Sequence, residues 1–390
     1  MISLSQETLS NALNAVTRAS LKNSVLPAFA AVQLDASAGG TLNLSCFNGE
    51  TAARATIYAR CTDDASLCVN AQTLKAVAET MLGEVVLKVE PRSLVLENGA
   101  NRTTLNLIEE TIPAIGDDQA ETIAALTGLA LRSLSRAIAF ASTDGTRPVL
   151  NTLQLHFGNG RVQALAADGF SSGVVEESLP DAPETRLSLP VNFAHLLAGL
   201  VDERDTVLVQ KAGANRCLFR ITHTDSAKDL TLASVTGPEG FPADQVTQLL
   251  KGCRTSSVTH LQVPKNSLLQ TVKMVTAMGT LNTLLKATNG SVKAASSETD
   301  TGQARNLMDG QASGEDAHVW LSAAFLKRVA EACKGEIQIG ITGERSAVLF
   351  SEGGFTALLM PLLMENVKDP FENDDEPVAV ALPALEMVPA

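Results

Sequence analysis

One arrangement of elements occurs three times along the chain, and that recurrence constrains the fold more than any motif the chain contains. Each copy starts with an amphipathic helix that follows a short apolar strand. Residues 6–20 place Leu9, Leu13 and Val16 on one face, residues 131–143 place Leu134 and Ile138, and residues 266–278 place Leu268, Leu269, Val272 and Val275. A pair of alternating strands around a Gly-containing turn comes next, at 31–47, 152–168 and 284–297. A second helix follows, with core faces marked by Leu74, Ala78 and Met81, by Phe193, Leu197 and Leu200, and by Phe325, Val329 and Ala332. Another strand pair closes each copy, at 85–99, 207–222 and 337–353. The pattern predicts an α+β protein of three similar domains, each with two helices packed on antiparallel sheets. The expected domains are 1–120, 121–252 and 253–366, with joints at Ile112-Pro113 to about Leu126 and at Pro242 to about Thr259. Residues 367–390 are acidic and Pro-rich without a usable period, and read as a mostly disordered tail.

Several function classes are disfavoured by what the sequence lacks. The first residues have neither a basic region nor a long apolar one, and no run of 18 or more apolar residues follows, which predicts a soluble, cytoplasmic protein that does not engage a membrane. Six cysteines form no C-x-x-C pair and are expected to be reduced thiols. Five histidines are far apart and show no zinc spacing, so neither a metal nor a cofactor is expected. Neither a P-loop nor a dinucleotide fingerprint is present. Gly169-Phe170-Ser171-Ser172-Gly173 matches G-x-S-x-G, but VVEESLP reads as a strand and a Pro break where a hydrolase elbow needs a helix. That context disfavours a serine hydrolase using Ser171, and no catalytic residue is assigned.

The net charge of −13 counts against a grip on nucleic acid only if charge is spread evenly, and it is not. Helices 6–20, 71–81, 131–143, 190–201, 265–278 and 322–333 hold Arg18, Lys75, Arg132, Arg136, Lys265, Lys273, Lys327 and Arg328 against Glu7, Glu79 and Glu331. Arg132 and Arg136, four apart, project away from the Leu134/Ile138 stripe. Basic helices on an acidic chain suggest one surface meant for a polyanion and another that repels it. Aromatic residues are 4%, too few to stack many unpaired bases, so a duplex backbone is the better match.

Leu26-Pro27 followed by AVQLDASAGGTLNLSCFNGE, then RPVLNTLQLHF, the Ala167-Asp168-Gly169 turn, Phe241-Pro242 and Met360-Pro361 occur in an order and threefold setting that resembles the bacterial sliding clamps. These are the β subunits, or processivity factors, of DNA polymerase III, and the resemblance spans about residues 1–364. It implies a non-catalytic, nucleoid-associated protein that forms a head-to-tail homodimeric ring, with helices lining a hole that encircles double-stranded DNA regardless of sequence. Such a ring tethers the DNA polymerase and the clamp loader through short linear motifs. The implied basic channel residues are Arg18, Lys22, Lys75, Arg132, Arg136, Arg147, Lys265, Lys273, Lys327 and Arg328. The implied partner pocket, between the second and third domains, comprises Leu150, Gly169, Phe170, Pro242, Val246, Ser322, Phe325, Met360, Pro361 and Leu362. The implied dimer seam involves Leu105 and Leu107 in the first domain and the region of Met278 in the third. The chain departs from the family pattern in three places. Phe170-Ser171-Ser172 replaces a usual His-Arg pair, Leu362-Leu363 lacks the basic residue usual before the final Leu, and Pro148-Val149 stands where DNA-contacting aromatics are often found. The alternative reading is a clamp-fold interaction scaffold that does not encircle DNA.

Overall fold

The computed structural model describes residues 1–113, 115, 120–223, 229–364 and 369–371. The chain divides into two compact units: Met1–Thr247 with Gly353–Ala357, and Gln248–Glu352 with Leu358–Ala390.

The first repeat comprises β1 (Ile2–Ser5), α1 (Gln6–Val16), β2 (Ala31–Ser37), β3 (Thr41–Phe47), β4 (Thr51–Tyr58), β5 (Arg60–Cys61), β6 (Ala65–Asn70), α2 (Ala71–Glu79), β7 (Glu84–Val89), β8 (Ser93–Asn98) and β9 (Asn101–Asn106). The second comprises β10 (Glu121–Thr127), α3 (Gly128–Leu134), β11 (Thr152–Gly158), β12 (Arg161–Ala167), β13 (Ser171–Ser178), β14 (Thr185–Pro190), α4 (Val191–Ala198), β15 (Thr206–Ala212), β16 (Arg216–Thr222) and β17 (Asp229–Val235). Helix α5 (Ala243–Ser256) precedes the third, which comprises β18 (Thr259–Pro264), α6 (Lys265–Ala277), β19 (Asn282–Thr288), β20 (Ser291–Ser296), β21 (Arg305–Met308), β22 (Gln311–Gly314), β23 (Ala317–Ser322), α7 (Ala323–Ala332), β24 (Glu336–Ile341), β25 (Val348–Glu352) and β26 (Phe355–Leu359).

The same pairings recur in every repeat. The opening strand runs antiparallel to the strand after the second helix, giving β1·β7, β10·β15 and β18·β24, and further strands extend these as β7-β8-β9, β15-β16-β17 and β24-β25. The other sheet of each repeat reads β6-β2-β3-β4, β14-β11-β12-β13 and β23-β19-β20-β21. In the first unit β17 pairs with β4, so two repeats share one eight-stranded sheet.

Local chemistry explains the elements. Asn159-Gly160 and Asn289-Gly290 take positive φ between β11 and β12 and between β19 and β20, as two-residue hairpin turns that match strand twist require. Side chains of Ser5, Asn70 and Thr127 cap α1, α2 and α3 by accepting the amides of Thr8, Thr73 and Ala130. Pro190 and Pro264 instead fix an extended entry to α4 and α6. Leu9, Leu13 and Val16 of α1 are buried, as are Leu74 and Ala78 of the neighbouring α2. Leu268, Val272 and Val275 of α6 are likewise buried, with Leu326, Val329 and Ala330 of α7.

Two expectations are corrected. Residues 131–143 are not one α-helix: α3 ends at Leu134, and Ser135–Phe140 is a 3-10 helix. Its tighter turn buries Ala137, Ile138 and Phe140. Phe140 lies against Gly173 of β13, where a Cβ would come within 2.3 Å of the ring. The second joint is helical, because Val246, Leu250 and Cys253 form an apolar stripe that α5 buries despite Gly252. Of the expected tail 367–390 only Asp369–Phe371 are described, so the expectation of disorder lies outside the described residues. Among the described residues, no helix is long and apolar enough to cross a membrane.

Candidate nucleic-acid interface

The ten predicted basic residues fall into two groups. Arg18, Lys22, Arg132, Arg147, Lys273 and Lys327 are exposed, whereas Lys75, Arg136, Lys265 and Arg328 are half-buried. Arg132 lies in the last turn of α3, where a cation also complements the helix dipole. The 3-10 turn that follows carries Arg136 off the α-helical face: its guanidinium lies 4.7 Å from the centroid of the Phe355 ring. Arg132 and Arg136 therefore do not form the expected exposed pair. Lys265 Nζ donates to the Cys333 carbonyl at 2.6 Å, tying the start of α6 to the end of α7. Lys75 and Lys327 make loose i,i+4 pairs with Glu79 and Glu331, worth a few tenths of a kcal/mol by the usual yield of such pairs. Arg328 stacks over Phe325 at 5.1 Å.

In the first unit, α1 and the end of α4 border a cleft of about 550 Å³. Arg18 donates from Nη1 to the Gly199 carbonyl at 3.1 Å across it. Asn11, Asn14 and the exposed Tyr58 join Arg18 on its lining, together with Glu7 and Asp202. Sequence reading missed these amides because it counted charge alone, although an Asn side chain also donates to phosphate. Beside the cleft, buried Asp205 accepts the Asp202 amide at 2.7 Å and Nδ1 of His223 at 3.0 Å. These three residues form a cluster that His spacing in the sequence did not reveal.

The residues implied for partner binding lie in both units. In the first unit, Asp168 Oδ1 accepts the amides of Phe170 and Ser171, at 2.9 and 2.7 Å. This turn holds Gly169 at φ +94° and leaves the Phe170 ring 62% exposed. Leu150 and Val246 are buried and Pro242 half-buried. In the second unit, Ser322 and Phe325 at the start of α7 are half-buried, as are Pro361 and Leu362, and Met360 is exposed. Ser171 is buried at the first position of β13, so a strand stands where a hydrolase elbow needs a helix. Burial pushes the Cys217 thiol up to about 12 and raises that of Cys46, leaving both inert.

Two of the strands that end their sheets matter for assembly, because their counterparts in other repeats are paired. Among the described residues, β9 ends its sheet after β8 and β21 ends its sheet after β20, each without a strand on its other side. Leu105 belongs to the interior of its own unit and Leu107 is half-buried. Met278 caps the end of α6 beside the turn at Gly302 and is not on the β21 edge. The edge itself presents Leu307, 70% exposed, which sequence reading missed because β21 is four residues long and lacks a clear alternation.

No protein-family model matches the sequence, and no curated protein matches it. Solved structures do match, and the three described next each cover 93% of this chain. The sliding clamp from Bacillus subtilis superposes with TM-score 0.82 at 17% identity over 99% of its own length. The β subunit from Streptococcus pyogenes gives 0.83 at 17% over 100%, and the clamp from Caulobacter crescentus gives 0.80 at 20% over 99%. With its thrice-repeated pairing of strands and helices, the chain has the fold of the bacterial DNA polymerase sliding clamps.

Proposed function

We propose that the chain is a sliding clamp: two copies close head to tail around double-stranded DNA and tether a DNA polymerase, conferring processivity without catalysis. The observation that carries this reading is the placement of the open edges. β17 and β4 are the outermost strands of the four-stranded sheets of their repeats, and their pairing seals two repeats inside the first unit. β9 holds the position of β17 in the first repeat, and β21 holds that of β4 in the third. A second copy offering β21 to β9 repeats the β17·β4 ladder, and the reciprocal pairing closes the assembly. Leu105, a residue of β9, then lies in the seam, Leu107 follows directly after that strand, and the region of Met278 belongs to the facing third repeat.

A ring is linked to DNA by topology, so its contacts with phosphates need only be weak, sequence-blind and salt-sensitive, and weak contacts allow sliding. Exposed Arg18, Lys22, Arg132, Arg147, Lys273 and Lys327 suit that role, with Lys75, Arg136, Lys265 and Arg328 held closer to the protein. Polymerase and clamp loader are assigned to the surfaces around Leu150, Gly169, Phe170, Pro242 and Val246 of one unit and Ser322, Phe325, Met360, Pro361 and Leu362 of the other. Phe170 and Met360 supply the accessible apolar contacts there. The test is retention on nicked circular DNA. A clamp stays on the circle in salt that strips simple electrostatic binders and leaves when one cut linearises it. Equal loss from circle and line, or no retention by a stable dimer, favours the scaffold reading.

A further inference from the structure

The outward side chains of the β21-β20-β19-β23 sheet form a mixed apolar and basic surface. Cross-strand register sets Leu284 beside Ala295 and Trp320, and Lys286 beside Lys293 and His318, with Arg305 opposite Ala295. The chain returns to this surface after the last strand. Phe371 packs among Leu284, Ala295 and Trp320 and is 6% exposed, and Leu362 and Met364 close the cluster from the side. Lys293 Nζ lies 5.3 Å and Arg305 Cζ 5.7 Å from the Phe371 ring centroid, within reach of cation–π attraction. Asp369 Oδ2 accepts from Lys286 Nζ at 2.6 Å, while its Oδ1 accepts the Phe371 amide at 2.9 Å, so one carboxylate both pairs with the sheet and shapes the turn. Nothing in the clamp reading calls for this arrangement: a segment expected to be solvated tail supplies an anion and a ring to a surface with three cations and an apolar floor.

We propose that this sheet face is a peptide-docking site for an aspartate–proline–phenylalanine segment, filled in cis by the chain's own Asp369-Pro370-Phe371, which anchors the C-terminal tail. The acidic positions Glu372, Asp374, Asp375 and Glu376 follow directly in sequence. Proline limits the conformations lost on docking, and the aromatic ring supplies most of the buried apolar surface.

Trp320 is the chain's one tryptophan and lies in the floor of the site, so its fluorescence reports occupancy in the full-length protein. Phe371→Ala is expected to red-shift Trp320 emission and raise its acrylamide quenching at least twofold. A synthetic peptide of sequence 366–377 added to that variant should restore the wild-type signal saturably, and a peptide with the Asp and Phe positions replaced by Asn and Ala should not. Lys286→Glu in the otherwise intact chain, with far-UV circular dichroism and melting unchanged, should raise quenching in the same direction and weaken peptide rescue about tenfold or more when combined with Phe371→Ala. The proposal is overturned by equal quenching in wild type and Phe371→Ala, or by a peptide that leaves the variant's Trp320 unaltered. Neither result touches the clamp reading, which depends on DNA retention.

Discussion

The β17·β4 junction and the β9 and β21 edges are the same two strand positions in different states. At the junction, residues Asp229–Ser234 run in continuous register with Thr56–Thr51, and Leu230 and Leu232 are buried. At β9 and β21 one side of each strand has no strand partner among the described residues, and Leu307 stands in solvent. The difference teaches that strand pairing between repeats is not a property of the repeat itself. It follows from having a neighbour, and two positions on this chain lack one. Exposed edges are liabilities unless covered, and in the proposed ring a second copy of the same chain covers both.

The largest expected effect attacks the sealed junction. Leu232→Ala should cost about 2–5 kcal/mol in denaturant unfolding, since a fully buried Leu leaves a cavity that paired strands cannot close. Leu307→Asp at the open edge should change chain stability by less than about 0.5 kcal/mol. Light scattering should nonetheless show that variant shifted from dimer toward a mass near 40.9 kDa. A matching loss of stability in both variants would erase the distinction between sealed and open positions.

A smaller effect, read by pH, belongs to β11, outside both the junction and the two edges. Burial, with the Arg186 charge adding to it and Asp244 opposing, holds His156 of β11 down at about 4 from its ordinary 6.5. The folded state therefore favours the neutral ring, whose stabilisation is complete above pH 6.5 and is lost as pH falls toward 4. Thermal midpoints should fall over that window, and His156→Gln should flatten the fall. The smallest effect on the fold belongs to Arg132→Glu, which should leave melting and dimer mass unchanged while shortening the lifetime on circular DNA several-fold, more at low salt than at high.

Much of this architecture was legible in the sequence because it repeats. Leu9, Leu13 and Val16 mark the core face of α1, and the hairpins at 152–168 and 284–297 fall where Asn-Gly turns punctuate alternation. The break after Leu134 was not legible, since Leu134 and Ile138 stand at the four-residue spacing of a continuing α-helix, and the fit of Phe140 against Gly173 that accompanies the tighter turn depends on tertiary packing. Helix α5 was obscured by Gly252 and by the preceding Phe241-Pro242. Short β21 carries too few residues to show a period, which hid Leu307. The cluster of Asp202, Asp205 and His223 joins residues from separate loops, and the docking of Phe371 depends on cross-strand register. Linear spacing reports neither. The basic residues were legible as a list, but which of them stand free of the protein was set by tertiary partners such as Phe355 and Cys333.

The central claim is that β9 and β21 meet across two copies and that the resulting ring surrounds DNA. It is tested by placing cysteines at Thr104 of β9 and Leu307 of β21, reassembling the doubly substituted chain over nicked circular DNA, and closing the seams with a flexible bismaleimide; five of the six native thiols are buried and the wild-type chain serves as control. The account predicts a protein–DNA species that survives detergent on the circle and disappears when the DNA is cut. Cross-linked dimers that leave the circle in detergent, or chains that do not cross-link at all, would contradict it.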